Sequence, residues 1–107
     1  MAYDVEVSGY ARLDMKNIYD YIANTLQEPV IAEKQYSRIE KAVYSLDNLP
    51  ERFRRYDKEP WRSRNLRVMP VDNYLVFYVV DNDSQIVTVM RIMYGRRNIE
   101  NELNNEF

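Results

Sequence analysis

Val89-Met90-Arg91-Ile92-Met93-Tyr94-Gly95-Arg96-Arg97 is the stretch that decides the fold. Up to Tyr94 it is apolar except for Arg91 and rich in branched and aromatic side chains, which is strand chemistry. Continued back to Ile86 it predicts a last strand over Ile86 to Tyr94, ended by Gly95. A charge in an apolar strand is costly when unpaired, so Arg91 should reach an open sheet face or meet a carboxylate.

Working upstream, Asp81 to Ser84 reads as a polar hairpin turn. Tyr74 to Val80 is apolar throughout and predicts a central buried strand. Asp72-Asn73 is a turn signal, and Leu66 to Val71 predicts a strand in which Pro70 limits pairing to an edge or an end. These three strands form an antiparallel meander. Before them, residues 51 to 64 read as a basic loop with Pro60 and Trp61 at its middle.

Two amphipathic helices precede the loop. Ala11, Met15, Ile18, Ile22 and Leu26 make one stripe, with Ser8 as the N-cap. Ala32, Tyr36, Ile39, Val43 and Leu46 make the other, with Pro29 in its first turn. Tyr3 to Val7 alternates and predicts a first strand. Asn98 to Asn104 predicts a short C-terminal helix. The fold class is therefore α+β: an N-terminal strand and an antiparallel helical hairpin packed on one face of a mostly antiparallel four-stranded sheet. The other sheet face is expected to be free.

Composition excludes several chemistries. The chain has 107 residues, which predicts one domain over residues 1–107. It has no cysteine and no histidine, so a disulfide framework, a Ser-His-Asp triad and a Cys-His pair are ruled out, and a structural zinc site has no usual ligands. No metal or cofactor is implied. The start Met1 to Glu6 lacks a basic, apolar leader, and the apolar run Tyr74 to Val80 is far too short to span a bilayer, so a cytoplasmic protein with no membrane partner is expected. Net charge is −2, yet Arg52 to Arg67 holds seven cations against two anions. Such asymmetry points to a polyanion or an acidic partner, or else to a solvated arginine loop.

Four phrases carry a family resemblance: Ile18-Tyr19-Asp20-Tyr21-Ile22; Arg38-Ile39 through Leu49-Pro50-Glu51-Arg52; Asn73-Tyr74-Leu75-Val76-Phe77-Tyr78; and Arg91-Ile92-Met93-Tyr94-Gly95-Arg96-Arg97-Asn98. In this order they resemble the RelE/ParE toxins of type II toxin–antitoxin systems over nearly the whole chain. The resemblance implies a growth-inhibiting toxin neutralised by a cognate antitoxin, with operator DNA reached only indirectly through that antitoxin. One branch of the superfamily cleaves mRNA in the ribosomal A site; the other inhibits DNA gyrase without nuclease chemistry. Ribosome-dependent mRNA cleavage is the first expectation here. Gyrase inhibition, or a non-toxic binding domain of the same fold, is the alternative.

For cleavage, the resemblance assigns Arg97, just after the glycine, and Arg67, at the start of the second strand, to phosphate chemistry, for which forked guanidinium donors suit. Tyr94 is a candidate proton donor or base stacker. Arg91, Arg96, Arg62, Arg64 and Trp61 are candidates for RNA or phosphate contact, and Glu59 or Glu51 for a base. Each has a plain alternative: solvation for Arg96, a structural ion pair for Arg91, an apolar anchor for Trp61 and loop ion pairs for the two glutamates. The sequence departs from the cleaving branch at Leu75 and Leu103, where basic and tyrosine residues are common, and in lacking a terminal histidine. Net acidity also weakens the case for a ribosome-bound nuclease.

Overall fold

The computed structural model describes residues 2–96 and 99–106. The chain runs β1 (Asp4–Val7), α1 (Gly9–Asp20), a π-helical turn (Tyr21–Thr25), α2 (Pro29–Tyr44), 3₁₀ turns at Ser45–Asp47 and Pro50–Arg52, β2 (Arg67–Val71), β3 (Tyr74–Asp81), β4 (Ile86–Tyr94) and α3 (Ile99–Glu106). The sheet order is β1-β4-β3-β2. β2, β3 and β4 are antiparallel neighbours, and β1 lies parallel to β4. The helical hairpin supplies an early crossover between the N-terminal strand and the meander, as parallel pairing requires.

Local chemistry sets the helix ends. Ser8 Oγ accepts the Ala11 amide at 3.1 Å, capping α1, and Pro29 opens α2 where a missing amide costs nothing. Ala11, Met15, Ile39, Val43 and Leu46 pack on Met69, Val76, Tyr78, Val87, Val89 and Ile92 to form the main core. Two stripe residues depart from expectation. Leu26 is 53% exposed because the π turn bonds its amide to Tyr21 O, five residues back, and rotates it off the stripe. Tyr36 stays at the surface, edge-on to Tyr19 at 6.2 Å.

The second sheet face is not free, which corrects the sequence expectation. Strand alternation puts Val68, Phe77 and Met93 there, and such a row needs cover. Trp61, Leu66, Ile99 and Leu103 provide it, from the basic segment and from α3. That segment is held to the β2 edge by Tyr56 N to Leu66 O (2.7 Å), Val68 N to Arg54 O (3.2 Å) and an Arg55–Arg67 bridge. At the β2–β3 turn Asp72 has φ 55°, a left-handed conformation that Asp tolerates. Its carboxylate accepts Arg38 Nη2 at 2.7 Å and Gln35 Nε2 at 3.0 Å, clasping α2 to the turn.

One irregularity governs β4. Phe77 pairs with Arg91 and Tyr78 with Val89, so Met90 is an extra residue, a β-bulge. Val87 and Val89 face the helices, and strict alternation would put Arg91 there too. The bulge reverses the parity: Ile92 enters the helix-facing core and Arg91 takes the register of Phe77, which belongs to the other face.

Candidate functional site

β1 pairs with β4 only as far as Val7 with Val89. Past that point the edge of β4 is finished by the Ser8 amide and by side chains. Ser8 N donates to Val89 O at 2.9 Å and Ser8 Oγ to Met90 O at 2.9 Å. The Asp14 carboxylate then accepts the Ile92 amide at 2.8 Å, Arg91 Nε at 2.7 Å and Arg91 Nη2 at 3.0 Å. Glu102 of α3 lies 3.5 Å from Arg91 Nη2. Arg91 is 6% exposed. Its guanidinium ties α1, β4 and α3 together, which corrects its candidacy as a phosphate contact. Asp14 was missed in the sequence; the available signal was an acid in the same helical turn as Ala11 and Met15.

Beyond this network, a groove of about 410 Å³ opens between α1, the π turn and the ends of β3 and β4. Its lining includes Asn17, Tyr21, Leu26, Ile92, Tyr74 and Tyr94. Tyr74 and Tyr94 stand opposite each other in the β3–β4 register and meet edge-to-face at 5.8 Å. Burial raises the Tyr74 hydroxyl above its ordinary pKa, and nearby Tyr94, Tyr21 and Asp72 raise it further. Tyr94 is 38% exposed, and Tyr10, Leu13, Val30 and Ile31 add apolar surface on the helical hairpin. Sequence reasoning named Tyr94 alone of this set. Leu26 reaches the groove wall through the π turn, and periodicity does not reveal such a turn.

The other candidates are scattered. Arg67 donates Nη1 to Phe53 O at 2.7 Å and to Glu51 O at 3.3 Å, and Nη2 to Glu51 Oε2 at 3.3 Å. It thus holds the turn at Pro50–Arg52 in place. Val71, the β2 partner of Tyr74, is four positions on from Arg67, so Arg67 lies about 13 Å along the strand from the Tyr74–Tyr94 end. The structure does not bring Arg67 and Tyr94 together. Trp61 is 3% exposed within the second core, so its ring is closed to a base, which corrects its candidacy as an RNA stacker. Arg62, Arg64 and Arg96 are exposed. Glu59 is occupied by Ser63, whose hydroxyl and amide hold its carboxyl below the usual range. Arg97 lies outside the described residues. Leu103 is fully buried beneath α3. Among the described residues no group of three or more acidic side chains could hold a metal ion, and no helix is long and apolar enough to cross a membrane.

Residues 5–99 match the family described as ParE toxin of type II toxin-antitoxin system, parDE. No curated protein matches the sequence. Among solved structures, the fold is similar to a chromosomal ParDE toxin–antitoxin system from P. aeruginosa: TM-score 0.71, 19% identity, 87% of this chain and 96% of that one covered. It is also similar to the toxin RelE of E. coli in the free state, with TM-score 0.63, 14% identity and coverages of 99% and 94%. The archaeal RelE–RelB complex from Pyrococcus horikoshii aligns with TM-score 0.63, 14% identity and coverages of 91% and 99%.

Proposed function

The chain belongs to the ParE toxin family of type II toxin–antitoxin systems, and from that membership we propose a single-domain cytoplasmic toxin, silenced by a cognate antitoxin, that arrests growth by binding its target rather than by cutting RNA. DNA gyrase is the target that the family resemblance supplies. One observation carries this reading: among the described residues, the candidate nuclease side chains do not converge. Arg91 is consumed by Asp14, Trp61 is buried, and Arg67 is turned onto backbone carbonyls away from Tyr94. Cleavage beside a 2′-hydroxyl needs a base, an acid and a charge stabiliser around one phosphate. Inhibition by binding needs none of these.

The antitoxin's place is the groove beside Tyr21, Leu26 and Tyr94, where exposed apolar side chains await a partner. Two similar structures come from toxin–antitoxin pairs, which supports a protein partner of that kind.

One observation favours ribosome-dependent mRNA cleavage as the second reading. Tyr94 is partly exposed, and exposed Arg96 follows it two residues on, so a phenol and a guanidinium share the end of β4. Induction in cells separates the two readings. The binding toxin leaves mRNA 5′ ends unchanged while plasmid supercoiling relaxes, and co-expressed antitoxin restores growth. New mRNA ends at A-site codons would transfer the conclusion to cleavage. Unimpaired growth without antitoxin would remove both.

A further inference from the structure

The segment from Arg54 to Arg64 carries five cations, Arg54, Arg55, Lys58, Arg62 and Arg64, against Asp57 and Glu59. All five are exposed, and among the described residues none is in a salt bridge. The backbone beneath them is fixed. It is sewn to β2 through Tyr56 and Arg54, turned by Arg62 N to Lys58 O at 2.9 Å, and pinned by buried Trp61. Chain entropy usually opposes ordered binding by a long loop, and here that cost is already met within the fold.

The aromatic side chains of this segment face inward. Tyr56 meets Trp61 at 5.9 Å and Phe77 at 5.5 Å, both edge-to-face, and Trp61 is in the second core. The outward surface is therefore guanidinium and ammonium without an aromatic platform. Proteins that hold unpaired strands rely on such platforms for base stacking. A surface of fixed cations alone matches what a double helix presents at its exterior, its phosphates. The segment packs on the sheet face opposite α1 and α2, whereas the Tyr94 groove lies against α1. Occupation of one leaves the other accessible.

We propose that the Arg54–Arg64 segment is a docking surface for the phosphodiester backbone of a DNA duplex, the nucleic acid at the proposed gyrase target, separate from the groove beside Tyr94. Contact is independent of base sequence and requires no cleavage. It brings this chain directly to a duplex, where the family resemblance assigned nucleic acid at the operator to the antitoxin alone.

The test is fluorescence anisotropy on the full-length chain with a DNA duplex, an RNA duplex and a single strand of equal length, across a salt series. Duplex binding is expected to weaken with salt with a log–log slope of about −3, as about three phosphate contacts require. Arg62→Gln/Arg64→Gln should weaken it at least tenfold at low salt and cut the slope by about 2. Arg62→Lys/Arg64→Lys should retain most of the binding. Lys34→Gln/Lys41→Gln changes net charge equally on α2 and should leave binding unchanged. Tighter binding of the DNA duplex than of the single strand and of the RNA duplex supports the assignment. Preference for the single strand or for the RNA duplex, no DNA-duplex binding, or equal loss in both Gln pairs would overturn it.

Discussion

Arg91 and Asp14, 77 residues apart in sequence, meet in a buried fork of 2.7 and 3.0 Å, and the same carboxylate takes the Ile92 amide at the edge that β1 leaves open. The pair closes the sheet edge and docks α1 in a single contact set. Removing one partner of a buried pair strands the other without solvent. Asp14→Ala is therefore expected to lower unfolding free energy by about 3 kcal/mol in urea titrations. Asp14→Leu/Arg91→Met should recover a large part of it. A loss below about 1 kcal/mol for Asp14→Ala would mean the fork is solvated.

High pH should weaken the fold through Tyr56 and Tyr78. Burial first, then Glu100 for Tyr56, pushes the Tyr56 hydroxyl up to about 12, and burial does the same for Tyr78. A phenol with a raised folded pKa binds its proton more tightly folded than unfolded. Its stabilisation is complete below pH 10 and is lost as pH climbs from 10 toward 12. The urea midpoint should fall across that window, and tyrosinate absorbance should show late-ionising groups that include Tyr56 and Tyr78. Tyr78→Phe should shrink the fall, and by losing the 2.6 Å bond to Pro50 O it should cost about 1 kcal/mol at neutral pH.

Tyr94 separates binding from chemistry. In the groove its ring supplies contact area, so Tyr94→Ala should weaken antitoxin binding by about tenfold or more in calorimetry. Tyr94→Phe keeps the ring and removes the hydroxyl. Growth arrest by Tyr94→Phe should equal wild type if the toxin acts by binding, and a hundredfold loss of activity would point to proton transfer.

Gly95 tests a different point. Among the described residues no glycine has a positive φ, so Gly95 is not there for left-handed backbone. An added Cβ would sit 3.4 Å from Asn73 O and touch Leu75, ordinary contact distances, and the Gly95 amide already bonds Asn73 O at 2.9 Å. Gly95→Ala should shift stability by less than about 1 kcal/mol by thermal denaturation. A larger loss would show that the turn tolerates no side chain.

The sequence alone determined the element order, the caps at Ser8 and Pro29, the turn at Asp72, the central strand and the family, because local propensity and hydrophobic period are written residue by residue. It also posed the right question of Arg91, that a charge in an apolar strand needs a carboxylate. Only the tertiary structure decided which one. The bulge at Met90 reverses the face of Arg91, and an inserted residue leaves no periodic trace of its own. The π turn likewise moves Leu26 from core to groove. The second core under Trp61 and Leu103 came from alternation in three strands meeting a loop and a helix that are distant in sequence. Where a side chain points depends on the register between strands, and register is fixed by contacts between segments far apart in the chain.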